Sequence, residues 1–172
     1  MFAGHEVLLE VSFAVARERL VQLTEGGSLI SASEDAYDRG TASPTRVGAA
    51  GLSKLVRVQL RELASTERSA GLAIRWEATG PGGGLFPVLD ADLRLASAGD
   101  QVTLLTMAGV YRPPLGPLGE ALDRAILHRV ADATIRTFAT WIAAQITGRP
   151  GVAQATASNG AGASPPDVPG SS

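Results

Sequence analysis

A chain of 172 residues holds one ordinary domain with a proper core and is too short for two. Apolar residues make up 45% and charged residues 19%, a balance that suits a folded globule with a generous interior and excludes wholesale disorder. The 15 basic and 17 acidic side chains give a formal net charge of −2, which leaves no electrostatic footprint for nucleic acid, and the lack of cysteine removes disulfides, thiolate nucleophiles and sulfur-ligated metals together.

His5, Glu6 and Glu10 interrupt the apolar residues of Met1 to Val11, so this stretch does not read as the h-region of a secretion signal. No run approaches the roughly eighteen apolar residues of a membrane span. The expected location is the cytoplasm, with peripheral membrane contact left open.

Val7, Leu9 and Val11 alternate with Leu8, Glu10 and Ser12, which predicts a strand over 5–12. Ala14 to Leu23 places Val15, Leu20 and Leu23 at helical offsets, and Gly26 and Gly27 end that helix. A second short helical turn is expected over Leu29 to Asp38. From residue 54 the period changes to two. Val56, Val58 and Leu60 alternate with Arg57, Gln59 and Arg61, and Leu72, Ile74 and Trp76 alternate with Ala73, Arg75 and Glu77. Gly80 to Gly84 reads as a turn, and Leu89, Ala91, Leu93 and Leu95 then alternate with Asp90, Asp92 and Arg94.

Val102, Leu104, Thr106, Ala108 and Val110 continue the alternation, but Leu105, Met107 and Tyr111 make both parities of this strand apolar. The short turns imply antiparallel neighbours. Pro117 and Glu120 open a helix of roughly thirty residues that Gly148 and Pro150 stop. Leu122, Ile126, Leu127, Val130, Ala133, Phe138 and Trp141 share one broad arc of it, opposite Arg124, His128, Asp132 and Arg136. Residues 5–148 therefore form the expected domain. Residues 149–172, an Ala/Gly/Pro/Ser-rich stretch, read as a disordered tail.

The order of these elements, with WEATGPGGGLFPVLDADL at 76–93 and YRPPLGPLGEALDR at 111–124, resembles the START-like superfamily of polyketide cyclases and lipid-transfer domains, in its actinobacterial type. The resemblance implies an α+β helix-grip fold: a curved antiparallel sheet of about six or seven strands wrapped on a long C-terminal helix, with one or two short helices after the first strand. It also implies a cavity between sheet and helix. The expected lining is Ile74, Trp76, Phe86, Leu93, Leu104, Tyr111, Leu122, Ile126 and Val130, with a small apolar molecule as partner and no cofactor.

Catalysis would require proton-transfer groups inside that cup. The parity of the strands instead puts Arg57, Arg61, Arg75, Glu77, Asp90, Asp92 and Arg94 on the solvent face, where cross-strand ion pairs are expected. Tyr111 and Arg75 are the weak catalytic candidates. The two histidines, His5 and His128, stand in separate elements with no carboxylates at metal-ligand spacing, so no metal site is expected. The glycines at 80 and 82–84 precede a strand and not a helix, unlike a phosphate loop. They leave Phe86 as a candidate lid residue. Binding or carriage of an apolar molecule is the leading reading, an aromatase/cyclase-like enzyme the rival, and an interaction module with a filled cavity the third. The oligomeric state is not legible.

Overall fold

The computed structural model describes residues 2–42, 55–62, 65–79, 86–112 and 124–148. Five strands form one antiparallel sheet among them: β1 (Phe2–Leu9), β2 (Leu55–Glu62), β3 (Ser69–Thr79), β4 (Val88–Gly99) and β5 (Val102–Arg112). The order across the sheet is β1-β5-β4-β3-β2, so the first strand returns to pair with the last. Three helices, α1 (Phe13–Glu25), α2 (Ser28–Ala42) and α3 (Arg124–Thr147), supply side chains to the one core that the sheet's inner face lines.

This is the α+β helix-grip arrangement expected from the sequence, with five strands among the described residues where six or seven were expected. The strand over 5–12 begins earlier and ends at Leu9, after which the Val11 carbonyl accepts a hydrogen bond from Thr103 Oγ1 at 2.9 Å. The turn at Gly80 to Gly84, the helix opening at Pro117 and the tail 149–172 lie outside the described residues.

The hairpin strands form as their alternation requires. Along β3, Leu72, Ile74 and Trp76 point inward and Ala73, Arg75 and Glu77 outward. Register continues each row across the sheet: Ile74 lies opposite Ala91, which lies opposite Gly109, which lies opposite Ala3. A methyl group on Gly109 would stand 2.8 Å from Ala91 Cβ, 2.9 Å from the Asp90 carbonyl and 3.0 Å from Ile135 Cδ1. The missing side chain lets α3 approach the sheet.

The second helix is longer than the turn expected at Leu29 to Asp38, spanning 15 residues. Its buried positions Leu29, Ser33, Ala36, Tyr37, Gly40 and Thr41 recur at helical offsets and face the core. The described part of α3 covers 24 residues, and Leu127, Ala131, Ile135, Phe138, Ile142 and Ile146 fill the cup. Its apolar arc therefore centres on Ile135 and Ile142, while Ala133 and Trp141 lie at its margin. Arg19 of α1 donates to the Ile146 carbonyl in the last turn of α3, where a cation offsets the unpaired carbonyls and the helix dipole.

Candidate functional site

Two surfaces of the sheet hold the residues singled out in the sequence. On the inner face, Ile74 (2% exposed), Trp76 (0%) and Leu93 (0%) are packed so closely that they touch almost no space a water molecule could enter. Phe86 and Tyr111 are buried beside Leu89 at the end of the cup nearer the start of α3, and Val130 is buried on α3 itself. Ile126 lies in the first turn of α3, and Leu122 is outside the described residues.

Leu104 does not join this wall. It pairs with Ala96 on one side and Leu8 on the other, all on the outer face, whereas Leu105 and Met107 are fully buried on the inner one. The alternation along β5 therefore runs opposite to the parity that put Leu104 inside. Composition misleads there because Leu104 itself has apolar neighbours on the outside.

Most of the buried polar groups facing the core have protein partners, His5 Nε2 being an exception. The Trp76 indole N–H donates to the Ser33 carbonyl at 3.0 Å, and its ring meets Phe138 edge-on with centroids 5.9 Å apart. The Tyr37 hydroxyl donates to the Pro87 carbonyl, tying α2 to the segment that carries Phe86. Burial, assisted by the carboxylates of Asp38 and Glu77, pushes the Tyr37 phenol well above its ordinary range, so it stays a neutral donor. The buried threonines Thr41, Thr103 and Thr134 each donate to a backbone carbonyl at 2.8 to 2.9 Å.

Tyr37 was not singled out in the sequence. The signal was there in the helical spacing of Leu29, Ala36 and Tyr37, but a segment read as a short turn gave no reason to follow it.

On the outer face stand the charged residues, as the strand parity predicts. Asp90 receives Arg75 at 3.1 Å and Arg112 at 2.6 Å, and Arg94 lies 3.9 Å from Asp92. Arg75, offered above as a candidate for orienting substrate oxygens, therefore points away from the cup. Tyr111 faces into it, and no single site holds both. Among the described residues, no cluster of three or more His, Asp and Glu side chains is arranged to hold a metal ion. No helix among them is long and apolar enough to cross a membrane.

No family model matches this chain, and no curated protein matches it in sequence. Its fold is similar to that of a conserved protein from Geobacillus kaustophilus, at 13% identity and a TM-score of 0.50, over 86% of this chain and 96% of that one. Two more distant likenesses are a hypothetical protein from Helicobacter pylori (12% identity, TM-score 0.44, 82% and 87% covered) and an aromatase/cyclase from Streptomyces sp. R1128 (11%, 0.40, 86% and 92%). Identity at this level speaks for a shared chain path and not for a shared activity. The described chain has the helix-grip fold, with the charges of β3 and β4 on the outer face of its sheet.

Proposed function

We propose that the protein is a non-enzymatic cytoplasmic binder of a small apolar molecule, of the START-like kind, which enters the cup at the end bounded by Trp76, Phe86, Leu89, Tyr111 and Leu127. One observation carries this reading: every charged residue of β3 and β4 stands on the outer face, so the inner surface of these two strands is apolar and brings no carboxylate or guanidinium for proton transfer. A lipid-like or polyketide-like molecule would gain about 25 cal/mol for each Å² of apolar surface it buries there. The cyclase-like alternative would have to work with Tyr111 alone among its two candidates.

Mass spectrometry of the natively purified protein, with organic extraction of the same sample, tests the proposal directly. A co-purifying apolar molecule is the expected result. Uptake of the neutral fluorophore N-phenyl-1-naphthylamine should follow, weakened by Phe86→Ala and unchanged by Asp90→Asn. Absence of both a ligand and probe uptake would favour a second reading, an interaction module with a filled cup, to which the tight packing of Ile74, Trp76 and Leu93 already lends support.

A further inference from the structure

On the outer face of the sheet β5 departs from its neighbours. The outward positions of β3 and β4 carry Arg75, Glu77, Asp90, Asp92 and Arg94, whereas those of β5, from Val102 through Leu104, Thr106 and Ala108 to Val110, carry no charge. Leu8 of the adjoining β1 is 58% exposed and Val110 is 47% exposed. An uncharged column thus runs along β5 between β1 and β4, and apolar surface gathered on one face in this way marks contact with another molecule.

The register says which molecule fits. One row reads Leu8, Leu104, Ala96, and the next reads Glu6, Thr106, Arg94. In each row the residue on β1 complements the one on β4: a long apolar side chain against a small one, then an acid against a base. A two-fold axis lying over β5 and parallel to it exchanges the β1 and β4 sides of the face. Two copies packed about that axis set Leu104 on Leu104, Leu8 of each over Ala96 of the other, and Glu6 of each opposite Arg94 of the other. An axis across the strands would instead bring Glu6 to Glu6 and Arg94 to Arg94. Neither charge is firmly engaged within the chain. Both are exposed, Glu6 makes no ion pair among the described residues, and Arg94 stands 3.9 Å from Asp92.

We propose that the protein forms a two-fold dimer through the outer face of β1, β5 and β4, with Leu104 on the axis and a Glu6–Arg94 pair on either side of it. Sheets packed face to face lie about 10 Å apart, which lets leucines from the two sides touch and the longer charged side chains meet at the margin. The patch is narrow, so the association is weak and depends on concentration. It lies on the opposite side of the sheet from the cup and does not depend on the apolar-ligand reading.

Sedimentation velocity of the full chain over a rising concentration series tests the proposal. A reversible monomer–dimer equilibrium is expected, weakened about tenfold or more by Leu104→Arg, with circular dichroism to confirm that this variant is folded. Glu6→Arg and Arg94→Glu should each weaken self-association by about the same factor, because each brings like charges together twice in the dimer. Mixed in equal amounts, those two variants place opposite charges at both positions and should pair with each other more tightly than either does with itself. A monomer at every concentration, a dimer that tolerates Leu104→Arg, or a mixture no tighter than its separate components would each overturn the proposal. A monomer that binds phosphatidylcholine vesicles, and loses that binding in Leu104→Arg, would give the face to a lipid surface instead.

Discussion

Trp76 and Ser33 are 43 positions apart in the chain, and the indole N–H of the first donates to the backbone carbonyl of the second at 3.0 Å. The bond joins β3 to α2 in the centre of the core, where no water is available to replace it. Trp76→Phe should therefore lower stability by about 1 to 3 kcal/mol, combining a lost buried hydrogen bond with the gap left by the smaller ring. Urea denaturation followed by circular dichroism measures it. An unchanged midpoint would mean that the indole is not held where the structure has it.

Gly40 and Thr134 mark a close approach of α2 to α3. A methyl group at Gly40 would come within 3.0 Å of the Val130 carbonyl and would overlap Thr134 Oγ1 outright. Alanine normally gains about 1 kcal/mol over glycine inside a helix. Here overpacking, at about 1 to 3 kcal/mol, should outweigh that gain and leave Gly40→Ala less stable than wild type. Thr134→Ala in the same chain should recover part of the loss, and a thermal-denaturation double-mutant cycle would measure the coupling.

The adjacent residues Leu104 and Leu105 face opposite sides of the sheet. Leu105→Arg would bury a charge among Leu95, Val7 and the α3 residues, and should prevent stable folding. Leu104→Arg places the same charge on the outer face near Leu8, itself 58% exposed, and should change stability by less than about 1 kcal/mol. Soluble yield and melting temperature decide the matter. Equal tolerance of both would sink the assignment of faces along β5.

His5 occupies an inward position at the β1 edge, with Asp132 and Arg136 of α3 nearby, and its buried Nε2 has no hydrogen-bond partner. Burial, reinforced by the Arg136 charge and opposed by Asp132, lowers its pKa from the ordinary 6.5. The folded state thus resists a proton that the unfolded chain accepts. Stability should be full above the unfolded value and fall as pH drops below 6.5 towards the lowered folded value. Denaturant midpoints measured from neutral to mildly acidic pH should decline less steeply for His5→Phe than for wild type. Parallel declines would show that the imidazole does not contribute.

Much of the sheet was legible because burying a charge is costly and a strand alternates its faces at every residue. Arg57, Arg61, Arg75, Asp90, Asp92 and Arg94 each declare an outward direction, and their inward neighbours follow. The helix ends were legible for a similar local reason, as at Gly26, whose N–H bonds back to the Gln22 carbonyl at the end of α1. Along β5 the same logic stalls, since Leu104 and Leu105 are chemically identical and both parities are apolar.

The sequence by itself determined which residues could not be inside, because solvation of charge is a property of the side chain wherever it stands. Only the tertiary structure decided between the two leucines, through the register that sets Leu95 and Val7 opposite Leu105. It alone extended α2 to meet Trp76 of β3 and Thr134 of α3. Leu60, Ile74, Ala91 and Gly109 are far apart along the chain, and their meeting in one inward row depends on strand order and pairing, which local periodicity does not encode.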